Sequence, residues 1–326
     1  MLNNPENYDN EILKNIDNKI SEYSEMSINQ REFFNGIIRQ LKPKKILEVG
    51  VSAGASAALI LNAIKDMPES HLYSIDYLDK WYRDPEKDVG FVVKDYFKDL
   101  QDKWTLYTGG VSAKFIDEIG GDIDLCLLDT MHCSPGEFLD FLMVFPYLKK
   151  NAVVVIHDLI LHTSTFGDFN YYRHTTNCTL FTVLKGKKIL LEKDTHSYRK
   201  EKYYSKMLDI SGIPNIGAII LDDYNMENIR DIFMLLSLPW VYKITDDDYL
   251  LTLDLFIKHY PKDLVNMFER IYLFNRNFNI NPPVINHDHD IPVNRINLLD
   301  LLFSIEDGIR YKVIRILGIK ITIKKK

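Results

Sequence analysis

The sequence predicts an α/β protein built on a doubly wound parallel sheet. Between Lys45 and Asp158, five short apolar runs alternate with helical segments: I-L-E-V-G (46–50), H-L-Y-S-I-D (71–76), T-L-Y-T-G (105–109), D-L-C-L-L-D (124–129) and A-V-V-V-I-H-D (152–158). Their nearly continuous apolar character marks strands buried on both faces. Each run also ends in glycine or aspartate, which puts polar chemistry at the carboxyl edge where open α/β sheets bind ligands.

The remaining elements follow in order. Residues 8–41 carry spaced apolar positions among charges and amides, and Ser27 stands as a cap before I-N-Q-R-E-F-F, so residues 1–42 read as two covering helices. A sixth strand is expected at N-I-G-A-I-I-L (215–221), then the helix M-E-N-I-R-D-I-F-M-L-L, then a seventh strand at V-Y-K-I (241–244). These close a sheet domain at residues 43–245. Thr245 caps a helix that begins D-D-D-Y, where the acids suit the positive end of the helix dipole better than a metal. C-terminal helices over 246–276 give way to a linker and tail over 277–326. In the linker, H-D-H-D (287–290) sits in a polar, proline-containing stretch and reads as a solvated loop. From Ile319 to Ile323 the tail alternates, as a β-strand or hairpin with one basic face does.

Composition narrows the function. The formal net charge of −6 combines a C-terminal stretch of seven basic residues without an acid and a body at −13, which argues against a nucleic-acid partner. Cys126, Cys133 and Cys178 have neither C-x-x-C spacing nor an even count, so reduced thiols and a cytoplasmic setting are expected. The N-terminus lacks the basic and apolar segments of a signal peptide, and no apolar run reaches the roughly 20 residues that span a bilayer.

In E-V-G-V-S-A-G-A-S (48–56) the strand ends at Gly50, and Gly54 and Ser56 open the next helix, whose free N–H groups can receive a carboxylate or phosphate. Ser52 and Ala55 replace two glycines of the dinucleotide fingerprint. Glu48, within the strand, would face an ammonium group and repel a pyrophosphate. Asp76, closing the second strand, is placed to accept hydrogen bonds from both hydroxyls of a ribose. Ribose plus ammonium points to S-adenosylmethionine. At this point E-V-G-V-S-A-G-A-S and S-I-D-Y resemble the motif loops of class I S-adenosylmethionine-dependent methyltransferases, over about residues 40–245. The resemblance implies a seven-stranded Rossmann-like sheet. It places Glu48, Gly50, Ser52, Gly54, Ser56, Asp76, Tyr77, Gly110 and Val111 at the cofactor. Where that family often reads G-D-S, this chain has Gly110-Val111-Ser112, so the acid that meets the adenine amino group is missing there.

Asp129 and Asp158 end neighbouring strands, and two acids at one rim invite a divalent cation such as Mg²⁺ or Mn²⁺. His157 precedes Asp158, and strand neighbours face opposite ways, so it helps only if the strand has ended by then. His132 fits a general base that takes an alcohol's proton. Cys133 has no basic neighbour in sequence to activate it. The stretch from L-L-D-T-M-H to V-V-V-I-H-D resembles metal-dependent sugar O-methyltransferases acting on macrolide sugars and surface polysaccharides. That resemblance implies Asp129 and Asp158 as metal ligands and His132 as the base, with His157 where those enzymes usually carry glutamate.

The segment after Asp158 is rich in aromatics and hydroxyls, and His162, Tyr172 and Arg173 are candidate sugar contacts, with Arg173 or Arg83 available for a nucleotide phosphate. The tail resembles those of bacterial glycan-assembly enzymes such as glycosyltransferases. This implies a surface-glycan or capsule pathway, a nucleotide-activated sugar such as a GDP-heptose as acceptor, and peripheral docking on a partner or the inner face of the membrane. A solvated edge strand guarded by lysines is the plainer account. Pairing of subunits into a homo-oligomer is open. Two other functions remain: a metal-dependent hydroxylase of the cephalosporin-hydroxylase type on the same fold, and a noncatalytic glycan-pathway scaffold.

Overall fold

The protein is represented by a computed structural model. The structure describes residues 2–161, 176–191 and 214–277, and the backbone of 303–307, 311–316 and 319–324. In chain order the strands of the larger part are β1 (Lys45–Val49), β2 (His71–Asp76), a hairpin of β3 (Lys80–Trp81) and β4 (Asp84–Asp88), β5 (Trp104–Thr108), β6 (Ile123–Leu128), β7 (Leu148–His157), β8 (Gly186–Leu190) and β9 (Ile216–Leu221). All but the hairpin join one seven-stranded sheet, ordered β5-β2-β1-β6-β7-β9-β8.

The pairs from β5 through β7 are parallel, while β9 runs antiparallel to both β7 and β8. From β1 the chain first winds one way, to β2 and β5, and then the other way, to β6 and β7. The crevice beyond the ends of β1 and β6 is therefore the topological switch point.

Both faces of this sheet are buried. Ile46, Leu125, Leu127, Val153 and Val155 pack into one apolar core with residues of α1 (Glu11–Ile20), α2 (Ile28–Leu41), α3 (Ala55–Ala63) and α4 (Phe91–Tyr96). Their strand neighbours Leu47, Val49, Cys126, Leu128, Val154 and Ile156 join the opposite core. There they meet α5 (Ile116–Ile119), α6 (Gly136–Val144) and the helices Tyr224–Leu235, Asp246–His259 and Lys262–Asn277. The alternation is what period-2 side chains of a strand buried on both faces require.

The helix caps lie where the sequence places them. Ser27 and Gln30 form a reciprocal capping box, with Ser27 Oγ accepting from Gln30 N and Gln30 Oε1 accepting from Ser27 N. Thr245 Oγ1 accepts from Asp248 N at the start of Asp246–His259. The seventh strand is a correction: residues 241–244 form no strand, and the position belongs to Gly186–Leu190. Val241 instead donates to Ser134 O, 2.8 Å away. β8 is an outer strand whose Lys187 and Lys188 are exposed, so it lacks the apolar run that reveals a central strand.

The chain divides into two units, Met1–Pro282 and Pro283–Lys326. The second contains β10 (Phe303–Asp307), β11 (Tyr311–Ile316) and β12 (Ile319–Lys324) in an antiparallel sheet, so the tail strand read from sequence is one of three. Most of the linker, including H-D-H-D, lies outside the described residues. Among the described residues, no helix is long and apolar enough to cross a membrane.

Candidate active site

The loop after β1 is shaped by backbone that only small or strained residues adopt. Gly50 and Gly54 have φ of +92° and +93°, and Ser52 has +53°. A Cβ on Gly54 would come within 2.8 Å of Gly90 Cα, so the loop packs directly on the segment that follows the hairpin. Trp81 Nε1 donates to Ser52 Oγ (3.1 Å), tying that hairpin to the same loop.

Two of the expected cofactor residues have partners within the protein. Glu48 lies between Leu47 and Val49 and points to the opposite face, under α3, where it is fully buried. Its oxygens accept from the hydroxyls of Ser56 (2.5 Å) and Ser74 (2.6 Å), and Trp104 Nε1 donates to Ser74 Oγ. It thus anchors the start of α3. Burial pushes its carboxyl up to about 7, against the two serine bonds that lower it. Asp76 is engaged by the loop backbone. Its Oδ2 accepts from Val51 N and Ser52 N, both 2.9 Å, and its Oδ1 accepts from Leu78 N. It shapes the loop and keeps unused acceptor capacity on Oδ1.

Tyr77 and Leu78 are exposed beside Asp76, and the Tyr77 hydroxyl donates to Asp248 Oδ2 (3.1 Å). At the third loop, Asp79 accepts from Thr108 Oγ1 (2.7 Å), and its Oδ1 lies 3.0 Å from where a Cβ on Gly109 would stand. Asp79 therefore brings a carboxylate beside the third loop. Arg83 is paired with Glu25, and its Nε donates to the Tyr82 hydroxyl (2.9 Å). His162, Tyr172 and Arg173 lie outside the described residues.

Across the switch point the acids converge. Among the described residues, Asp129, His132 and Asp158 form one potential metal group, with one ligand atom of each lying within 4.8 Å of the others. His132 Nε2 is 3.4 Å from Asp158 Oδ2 and 3.9 Å from Asp129 Oδ1. His157 Nδ1 is 3.3 Å from Asp129 Oδ2 and 3.5 Å from Asp158 Oδ2. His157 is the last residue of β7, and Asp158 turns into the left-handed region at φ +55°. That turn is why two consecutive residues reach one site.

Each of these groups is held from behind. Asn215 Nδ2 donates to Asp158 Oδ1 (2.8 Å), leaving Oδ2 toward the histidines. Glu137 Oε1 accepts from His132 N (3.0 Å) and Asn177 Nδ2 (3.2 Å) and lies 3.2 Å from His132 Nδ1, while Thr176 Oγ1 donates to Oε2. His132 itself has φ +60°, a strained conformation that these bonds maintain. Asn177 also donates to His157 O (2.8 Å).

The electrostatics follow from this crowding. Burial pulls the His132 imidazole down, but the Glu137 bond and the charges of Asp158, Glu137 and Asp129 outweigh it and hold it up at about 10. Burial pushes the Glu137 carboxyl up, yet its bond to and charge from His132 leave it below the usual range. His157 is drawn down by burial and raised to about 9 by Asp158 and Asp129. The donor set, two carboxylates with imidazole nitrogen in reach, fits a hard to borderline divalent cation.

Sequence reasoning missed Glu137, Asn177, Asn215 and Gln30. Glu137 sits in the first turn of α6, where acids are ordinary, and Gln30 carries the ordinary signature of a capping box.

Residues 47–159 match the family model of a methyltransferase domain. The matching span runs from β1 to just past Asp158. Comparison with curated proteins gives no match. Among solved structures the chain is similar to the O-methyltransferase TomG of Streptomyces achromogenes, involved in tomaymycin synthesis and solved with SAM. The identity is 14%, over 65% of this chain and 90% of that one, with a TM-score of 0.43. It is also similar to an O-methyltransferase from Bacillus cereus solved with SAH, at 11% identity over 64% and 90% of the two chains and a TM-score of 0.42.

Proposed function

We propose that this chain is an S-adenosylmethionine-dependent O-methyltransferase that methylates a sugar hydroxyl with the help of a divalent cation. The observation that carries the reading is the convergence of Asp129, His132 and Asp158 at the switch point, next to the Gly50 loop and inside a methyltransferase domain. The loop's backbone, the exposed Tyr77 and Leu78, and the carboxylates of Asp76 and Asp79 suit an adenosine with its methionine arm. The sugar rests on the resemblance carried by the D-T-M-H and V-I-H-D stretches, and a nucleotide-activated sugar of surface-glycan synthesis is the acceptor that fits it.

S-adenosylmethionine, when bound, supplies an electrophilic methyl group. A divalent ion on Asp129 and Asp158, when bound, offsets their charge and acidifies a nearby hydroxyl. The protein's own residues do the rest. Glu137 holds the Nδ1 side of His132, so Nε2 faces the acids and the acceptor hydroxyl. The surrounding carboxylates hold this imidazole up at about 10, and a cation held by Asp129 and Asp158 would lower it toward the range in which it accepts a proton. His132 Nε2 would take the hydroxyl proton as the acceptor oxygen receives the methyl group that S-adenosylmethionine supplies. Alignment of the two reactants provides much of the remaining acceleration.

The test is mass spectrometry of nucleotide sugars incubated with the protein, S-adenosylmethionine and Mg²⁺ or Mn²⁺. A product heavier by one methyl replacing a hydrogen is expected. Full activity in metal-stripped protein would remove the cation from the reading, and absence of methylation on every sugar tried would remove the sugar. A second reading has one observation in its favour: two imidazoles and two carboxylates at one rim also suit a redox-active iron hydroxylase. A product gaining one oxygen in the presence of Fe²⁺, O₂ and a two-electron reductant would select it.

A further inference from the structure

We infer that Gln30, in the first turn of α2, is a positioning residue of the cation site: its side-chain oxygen keeps a proton on His157 Nε2, which leaves Nδ1 to face Asp129 and Asp158. The inference rests on the proposed cation between those two carboxylates. It brings into the site a helix that lies outside the span matching a methyltransferase domain.

The geometry identifies the atoms. Gln30 Oε1 is 3.1 Å from Ser27 N, and that N–H can only donate, so this end of the amide is the oxygen. The same oxygen is 3.0 Å from His157 Nε2. An oxygen acceptor requires the hydrogen on Nε2. Both residues are fully buried, so water has no access to offer an alternative partner. Nδ1, the other ring nitrogen, lies 3.3 and 3.5 Å from the nearest oxygens of Asp129 and Asp158, where it would present its lone pair to a cation bound between them. A lone pair aimed at two carboxylate oxygens is unfavourable by itself and becomes favourable around a cation. Metal-ligating histidines commonly donate their second N–H to an oxygen in this way, which fixes the tautomer and the ring plane.

The backbone supports the same orientation. Asn177 Nδ2 donates to His157 O at the point where β7 ends, so the ring is fixed at its tip by Gln30 and at its root by Asn177. Ser27 fixes Gln30 in turn through the capping box, so the first turn of α2 and the imidazole are one hydrogen-bonded unit. Movement of the N-terminal helices would be felt at the cation.

The experiment uses the full chain and three proteins: wild type, Gln30→Met, which keeps the shape but accepts no hydrogen bond, and Gln30→Glu, which keeps the acceptor. Mg²⁺ affinity is read by calorimetry. The His157 tautomer is read by long-range ¹H–¹⁵N correlation spectra of the Mg²⁺-loaded protein. We expect the His157 proton on Nε2 in wild type, a loss of ~10–100-fold in Mg²⁺ affinity in Gln30→Met, and recovery to near wild type in Gln30→Glu. A proton on Nδ1 in loaded wild type overturns the inference without any variant, which covers the case where Gln30→Met does not fold. A folded Gln30→Met that binds Mg²⁺ like wild type overturns it too. Wild type that binds neither Mg²⁺ nor Mn²⁺ brings down the cation reading itself, an outcome distinct from the other two.

Discussion

Gly50 lies directly against the backbone of Asp129: a Cβ built on Gly50 would stand 1.9 Å from the Asp129 carbonyl oxygen. The Asp129 N–H in turn donates to Val49 O (3.0 Å), so the loop after β1 and the acid after β6 share one wall. The proposed cofactor and cation sites are therefore mechanically joined at this point.

Gly50→Ala tests that junction. The methyl group meets backbone, which cannot swing aside, and alanine at φ +92° adds a left-handed penalty of about 1–2 kcal/mol. We expect a stability loss of at least ~2 kcal/mol in urea titration, with S-adenosylmethionine and Mg²⁺ affinities both reduced. Loss of only one affinity would show that the two loops respond independently.

Glu48 makes stability depend on pH. Its folded value of about 7 lies above the 4.5 of an ordinary glutamate, so its contribution to stability is fully present below pH 4.5. That contribution is lost as pH rises through 7, because the buried carboxyl must then ionise. The shift corresponds to about 3 kcal/mol across that window. Asp140, raised to about 7 chiefly by burial, acts in the same direction. Urea titrations at pH 5 and pH 8 should show Glu48→Gln with a smaller difference between the two than wild type. An identical difference would mean that Glu48 is ionised at no cost in the folded protein.

How much of this was legible in the sequence follows the physics of each element. Central strands such as β6 and β7 carry unbroken apolar runs, residues 125–128 and 152–156, and the acids that follow them stand out, so Asp129 and Asp158 could be read directly. β8 escaped because an outer strand can afford two lysines, and the hairpin β3–β4 escaped because it is short and charged. In the site, residues at the ligand rim carried a signal and their supports did not. Glu137, Asn177, Asn215 and Gln30 look in sequence like helix-start acids, loop amides and a capping residue. Their roles depend on partners between 5 and 127 positions away. Glu48 and Asp76 carried a signal in sequence, but their partners within the protein, the Ser56 and Ser74 hydroxyls and the Val51 and Ser52 N–H groups, did not.

His132 stands close enough to the acids to be either base or ligand, and substitution separates the two. As the base, His132→Ala should lower kcat by about 10²–10⁴-fold while Mg²⁺ affinity stays within about tenfold of wild type. As a ligand through Nε2, the same change would lower both together. Glu137→Gln keeps the shape but removes the charge that favours protonated His132, so the pH at which the imidazole releases its proton should fall. Following the His132 ring by NMR titration in ion-free protein checks that direction.

The cation itself should alter how stability varies at alkaline pH. In ion-free protein His132 and His157 are raised to about 10 and about 9, above the ordinary 6.5. For bases raised in this way, the stabilisation is fully present below pH 6.5 and is lost as pH climbs through 9 and 10. Protein kept in chelator should therefore show a Tm that falls between pH 7 and pH 10. A divalent ion between Asp129 and Asp158 supplies the positive charge that protonated imidazole otherwise provides, so saturating Mg²⁺ should raise Tm most at the alkaline end and flatten the decline. Asp129→Asn removes one of the acids responsible, and with it part of the slope in chelator and most of the response to Mg²⁺. Parallel Tm profiles with and without Mg²⁺ would mean that no ion occupies the position between these acids.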